Sequence, residues 1–118
     1  MKALEVKDFF ELSAQHPVID VRTPAEYQHG HIPGAHNIPL FTNEERAEIG
    51  TLYKQQGRKP AVLRGLDLIG PKLMDFIQAA EKISTTGTFL VHCWRGGMRS
   101  GSMAWLFNWY GFKVYTLK

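Results

Sequence analysis

Four short apolar runs alternate with longer stretches of helical character, and this alternation constrains the fold more than any other feature of the chain. The runs are Val18-Ile19-Asp20-Val21, Ala35 to Ile38, Thr88-Phe89-Leu90-Val91-His92 and Lys113-Val114-Tyr115-Thr116-Leu117. Each has strand length, and the β-branched and aromatic content of the last two favours a pleated backbone. Helical signals fill the gaps. Val6 to Leu12 carries an apolar stripe of Phe9, Phe10 and Leu12. Thr23-Pro24 reads as an N-cap followed by proline at the first helical position, and Gly30 with the Ile32-Pro33-Gly34 turn closes that short helix. Asn43 to Gln56 is a polar helix with Asn43 as its expected cap, stopped by Gly57. Pro60 to Ile69 and Pro71 to Ile83 are two further periodic segments. Ser100 to Tyr110 has the bulk of a buried helix and ends at Gly111. Short strands separated by helices imply an α/β domain with a largely parallel sheet.

At 118 residues the chain is read as one domain, residues 1–118, able to bury a core without staples. It has one cysteine, so no intramolecular disulfide is available and no second thiol can resolve an adduct on Cys93. No signal peptide is visible at the N-terminus, and no apolar run approaches the ~18 residues of a membrane span, so a cytoplasmic protein without membrane contact is expected. The net charge of +3 suits an anionic substrate or RNA, but the 14 Lys and Arg are scattered and select neither. His29, His31 and His36 lie close together without an evenly spaced acidic partner, so no metal site is read there. Gly65 to Leu73 superficially matches a phosphate-binding loop. Pro71 removes an N–H from the would-be cradle and no Ser or Thr follows Lys72, so this stretch is read as a break between two helices.

The lone cysteine stands in Val91-His92-Cys93-Trp94-Arg95-Gly96-Gly97-Met98-Arg99-Ser100. It follows directly on a strand, where ligands bind in open α/β sheets. Gly96 and Gly97 allow a tight loop whose N–H groups can form an anion-binding nest. The N-terminus of the following helix adds its positive dipole end, and Arg95 and Arg99 add formal charge, though only one of them need face inward. All of these favour thiolate over thiol, and a thiolate in a cationic cup can carry sulfur or attack a tetrahedral anion. His92 is expected to hydrogen-bond backbone rather than act as a base, and Trp94 to pack.

Asp20-Val21-Arg22-Thr23-Pro24-Ala25-Glu26-Tyr27, continuing through Gly30-His31-Ile32-Pro33-Gly34-Ala35 to Pro39, resembles the N-terminal signature of rhodanese-like domains. The resemblance spans essentially the whole chain, and Cys93 matches the family's active-site cysteine. It implies a five-stranded, mainly parallel sheet flanked by helices, and a catalytic loop from Cys93 to Arg99. It further implies that Asp20 and Arg22 support the active-site region, which Asp20 could do by accepting N–H groups of a neighbouring loop. The loop departs from ordinary sulfurtransferases of this fold, which carry one residue fewer. Five residues between Cys93 and Arg99 fit the pattern of cysteine-dependent phosphatases instead. Such an enzyme needs a general acid, for which Glu26 and Asp67 are candidates by residue type alone.

A narrower resemblance bears on that departure. Cys93 to Ser100, and the stretch Asn43 to Gly57 that generic rhodaneses lack, are similar to the bacterial tRNA 2-selenouridine synthase family. That family exchanges sulfur for selenium at the wobble 2-thiouridine of tRNA, using selenophosphate and passing through a geranylated intermediate. The resemblance implies chalcogen transfer with Cys93 as nucleophile or carrier, and no cofactor beyond selenophosphate or a sulfur donor as substrate. Trp94, Arg95, Gly96, Gly97, Met98 and Arg99 would form the anion-binding loop, and tRNA would be the partner of the full-length protein. The family adds a C-terminal P-loop domain, so a chain ending on its last strand is expected to be the first domain of something longer. A stand-alone thiosulfate-type sulfurtransferase, a cysteine phosphatase and a non-catalytic binding module are the competing readings. The presence of Cys93 weighs against the last.

Overall fold

The computed structural model describes residues 1–94 and 97–118; Arg95 and Gly96, both placed above in the anion-binding loop, lie outside the described residues. The chain begins with a strand, β1 (Lys2–Leu4), followed by helix α1 (Val6–Ser13) and strand β2 (Val18–Asp20). Helix α2 (Pro24–His29) and the two-residue strand β3 (His36–Asn37) come next. Helices α3 (Asn43–Gln56) and α4 (Arg58–Ile69) form a hairpin, and a 3-10 turn at Gly70–Lys72 separates α4 from α5 (Leu73–Ile83). Strand β4 (Thr88–His92), helix α6 (Met98–Tyr110) and strand β5 (Lys113–Leu117) complete the order. The sheet runs β1-β5-β4-β2-β3 with every pairing parallel, which is the five-stranded parallel sheet the resemblance implies.

Three local readings are corrected. The fifth strand is Lys2–Leu4, which pairs with β5 from Lys2 against Tyr115 to Leu4 against Leu117. Only Leu4 of this strand is buried, so no alternating pattern marks it in the sequence. Thr42, not Asn43, caps α3, because Glu45 three residues on completes a reciprocal capping box with it. Asn43 accepts the N–H of Ala25 instead, at 3.1 Å. Helix α6 starts at Met98 and is buried on one face only. Met103, Ala104 and Phe107 point inward, while Trp105 and Trp109 stack on each other, exposed, with ring centroids 5.9 Å apart.

The sheet is buried on both faces, as parallel sheets are. On one face Phe89 and Val91 of β4 meet Phe107 of α6 and Phe112, with Phe89 edge-on to both rings at 5.1 and 5.0 Å. Each such buried phenylalanine contributes ~2–3 kcal/mol of burial free energy. On the other face Leu90 and Val18 pack with Phe9 of α1 and Leu4. Side chains alternate along a strand, so the face that holds Phe89 and Val91 also receives Cys93. Asp20 and His92 are register partners on adjacent central strands, so the segments that follow them, Arg22 and Cys93, leave the sheet together.

Candidate active site

Cys93 is the first residue past β4 and only 2 % exposed. Its sulfur lies at the N-terminus of α6. Gly97 occupies the N-cap position there and supplies no side-chain cap, leaving the first amides of the helix to find other acceptors. The N–H of Ser100 donates to the Cys93 sulfur at 3.3 Å. The Ser100 hydroxyl sits 3.1 Å from the sulfur and 3.1 Å from the Gly97 carbonyl oxygen. A hydroxyl rotates freely, so its proton can go to the carbonyl while Cys93 is a thiol and to the sulfur once it is a thiolate. Gly97 is required by space rather than by backbone angle. Its φ of −73° suits any residue, but a Cβ there would collide with the Cys93 sulfur and stand 3.0 Å from the Trp94 carbonyl oxygen.

Arg99 turns its fork toward Glu26 of α2. Nη1 donates to Oε1 at 2.6 Å and Nη2 to Oε2 at 3.2 Å, with both side chains largely shielded from water. The indole N–H of Trp94 donates to the same carboxylate at 3.2 Å. Arg99 above all holds the Glu26 carboxyl down to about 2, burial opposing it and the Thr23 N–H assisting. Glu26 is therefore an ionised acceptor at neutral pH, which removes it as a general acid for a phosphatase. Asp67, the other candidate, is exposed on α4 and paired with Arg64 at 2.6 Å.

Asp20 and Arg22 form a buried fork beneath the loop. Arg22 donates from Nε and Nη2 to both carboxylate oxygens at 2.7–3.1 Å, and its backbone N–H donates to Oδ1 at 3.0 Å. Nη2 also donates to the Gly30 carbonyl oxygen at 2.7 Å, and the Asn37 amide ties down the carbonyls of both Asp20 and Arg22. Burial works against ionisation of Asp20, but His92 and Arg22 outweigh it and hold its carboxyl far below the usual carboxylate range. Asp20 thus braces its own following segment, and among the described residues it accepts no N–H of the cysteine loop. The link to that loop runs through Arg22, whose guanidinium lies 5.3 Å from the Trp94 ring centroid. Trp94 is 59 % exposed and packs on Arg22 rather than in the core. His92 departs from expectation at the side chain. Its Nδ1 is buried, 3.8 Å from Asp20, with no hydrogen-bond partner among the described residues.

A cavity of about 470 Å³ opens at Cys93. Leu40 and Phe41 line it beside Ile49 of α3, Ala61 and Leu66 of α4 and Met98 of α6, with Arg46, Lys54 and Arg58 among its polar members. The α3–α4 hairpin is therefore one wall of the site. Gly65 lets α4 approach Phe41, since a Cβ there would stand 3.3 Å from that ring. The sequence marked this hairpin as unusual but did not show that it faces Cys93. Ser100 and the role of Glu26 were also missed, although the pair Arg99-Ser100 closing the loop was a visible signal for the first. Among the described residues no cluster of three His, Cys, Asp or Glu side chains could hold a metal ion, and no helix is long and apolar enough to cross a membrane.

Comparison with known proteins places these features in a family. The family model for the rhodanese-like domain matches residues 3–118. A tRNA 2-selenouridine synthase of Bdellovibrio bacteriovorus is 38 % identical over 109 residues, covering 90 % of this chain and 28 % of the relative. The enzyme of the same name from Nitrosomonas eutropha is 43 % identical over 90 residues, 75 % of this chain and 23 % of its own. The chain thus spans about a quarter of the length of the curated relatives it matches. Among solved structures, an N-terminal domain from Clostridium difficile 630 superposes with a TM-score of 0.87 at 39 % identity, covering 99 % of this chain and 91 % of that one. A rhodanese-related protein of Thermoplasma volcanium shares the fold at a TM-score of 0.60 and 16 % identity, covering 100 % of this chain and 84 % of its own.

Proposed function

The chain belongs to the rhodanese-like domain family, and on that premise we propose that it is the chalcogen-handling domain of a tRNA 2-selenouridine synthase, with Cys93 as the nucleophile. The observation that carries this reading is the Cys93 sulfur at the N-terminus of α6, accepting the Ser100 N–H at the mouth of a cavity. An anion is favoured at that point by the helix dipole and by a donor already aimed at it.

With a sulfane donor such as thiosulfate, the Cys93 thiolate attacks the outer sulfur, the S–S bond of the donor breaks, and sulfite leaves with the electron pair. The product is a Cys93 persulfide, and charge is conserved between the two sides. Ser100 donates to the sulfur throughout, from N–H and hydroxyl. With selenophosphate the route differs, because its selenium is already at the selenide level. Water at phosphorus would break the Se–P bond and release phosphate and hydrogen selenide. The selenide would then attack the inner sulfur of the Cys93 persulfide, breaking its S–S bond and expelling hydrogen sulfide, so that selenium ends on the cysteine. The chain's own work is to hold the sulfur in place, screen it from bulk water and cradle the donor anion in the loop from Trp94 to Arg99. Transfer onward to the wobble 2-thiouridine of tRNA would then belong to the full-length protein. The apolar walls of the cavity beside Cys93 support the geranylated intermediate that the resemblance implies, because they offer an isoprenoid chain a dry surface next to the reacting atom.

Mass spectrometry tests the reading. The protein is incubated with thiosulfate, alone or followed by selenophosphate, and weighed, with Cys93→Ser as control. A Cys93-dependent gain of one sulfur from thiosulfate is expected, exchanged for one selenium when selenophosphate follows. Turnover of a phosphate ester with no such adduct would establish the phosphatase reading in its place. Sulfur uptake without any selenium uptake would favour a thiosulfate-type sulfurtransferase.

A further inference from the structure

We propose that Glu26 is the positioning residue that fastens the two ends of the Cys93 loop, acting through Arg99 and Trp94 rather than by touching a substrate. The inference rests on the reading of Cys93 as the reacting group. Among the described residues, five hydrogen bonds converge on this one carboxylate, from the Thr23 N–H, the Thr23 hydroxyl, both Arg99 Nη groups and the Trp94 indole. Capping α2 needs only the first of these. The last three come from the far side of the sheet's switch point, 68 and 73 residues along the chain. They also bracket the loop. Trp94 immediately follows Cys93, and Arg99 immediately precedes Ser100, whose N–H and hydroxyl address the sulfur.

A carboxylate gripping both residues fixes the distance between Trp94 and Arg99, and so fixes where the Ser100 donors stand relative to the sulfur. Geometry of this kind is worth a great deal. A shift of about 1 Å at a reacting group costs on the order of a hundredfold in rate. The grip is well made for the purpose, because the Arg99–Glu26 pair is bidentate and partly buried, so water competes for it weakly. It also changes the role of Arg99. Two of its five N–H donors and much of its charge are committed to Glu26, so Arg99 acts on the loop as a tether as well as a charge. Arg22 under the Trp94 ring backs the same grip from below.

The test uses Glu26→Gln. Glutamine keeps the oxygen that accepts the Thr23 N–H, so the capping box of α2 survives while the charge that holds Arg99 is lost. Two rates are measured on the folded protein: sulfur uptake from thiosulfate by mass, and alkylation of Cys93 by the neutral reagent iodoacetamide. Opening the loop exposes a sulfur that is now buried, so alkylation is expected to rise about threefold or more. Sulfur uptake is expected to fall on the order of tenfold to a hundredfold. Opposite changes are the signature, since a general loss of stability, followed by the thermal midpoint, cannot slow uptake at temperatures where the protein remains folded. In an Arg99→Gln background the Glu26 substitution should add less than twofold to either rate, because the two residues act as one unit. Unchanged rates in Glu26→Gln, or effects that multiply independently in the double variant, overturn the proposal. If the wild-type chain takes up neither sulfur nor selenium, the functional reading fails, and the alkylation rates alone still decide the role of Glu26.

Discussion

The backbone N–H of Ser100 donates to the sulfur of Cys93 at 3.3 Å, so the cysteine does for α6 what a serine or aspartate does at an ordinary helix N-terminus. The reacting atom and the helix end thereby position each other. The helix dipole acts at the sulfur because the sulfur caps its first turn, and the Ser100 N–H keeps this acceptor only while the sulfur stays in place.

Ser100→Ala removes the hydroxyl and leaves the N–H. One hydrogen bond of about 0.5–1.5 kcal/mol is lost, so sulfur uptake by Cys93 is expected to slow about threefold to tenfold. The measurement is the initial rate of the mass gain from thiosulfate. Thermal stability should move little, because α6 keeps its cap.

Gly97→Ala is the more severe change. The added methyl would occupy the space of the Cys93 sulfur, so the loop must shift as a whole. Uptake is expected to fall on the order of a hundredfold, with a stability cost of about 1–3 kcal/mol from overpacking. Uptake at the wild-type rate would show that the loop can move aside without consequence.

Asp20→Asn leaves Arg22 charged, buried and without its counter-ion. Breaking such a pair costs about 3–5 kcal/mol, read as a drop in the urea midpoint at neutral pH. Arg22→Met on the same background should recover part of the loss, because the uncompensated charge is then gone.

Acid should loosen the site before the core. The Glu26 carboxyl is held at about 2, below its ordinary value of 4.5, and Asp20 is displaced in the same direction. A depressed carboxylate contributes stability that is complete above its ordinary value and is lost as pH falls through its folded value. The urea midpoint should therefore fall steeply between about pH 4.5 and pH 2 in the wild type. In Glu26→Gln the fall should be shallower, by on the order of 2 kcal/mol. Equal slopes in the two proteins would mean that Glu26 is not paired in solution.

The fold was legible where burial leaves a pattern. Strand β4 and strand β5 fall on the residues their apolar runs predict, and β2 differs only in ending at Asp20 rather than Val21. Strand β1 was not legible, because it is three residues long and only Leu4 faces the core. Its pairing comes from the edge of β5, a neighbour more than 100 residues away in sequence. The cap of α3 was legible and misread. Thr42 and Asn43 are both good caps by residue type, and the acidic partner three residues after Thr42 decides between them.

For the site, the sequence by itself determined that a cysteine would end a central strand and that a glycine-containing loop and a helix would follow it. Those are matters of local order, set by residues adjacent in the chain. Tertiary structure alone decided that the Arg99 fork closes on Glu26, that Trp94 lies over Arg22, and that the α3–α4 hairpin walls the cavity at Cys93. The physical reason is the parallel sheet. Its crossovers bring the ends of β2 and β4 side by side, so groups some 70 residues apart meet at one edge, and charge pairing between them is settled only when the strands are in register.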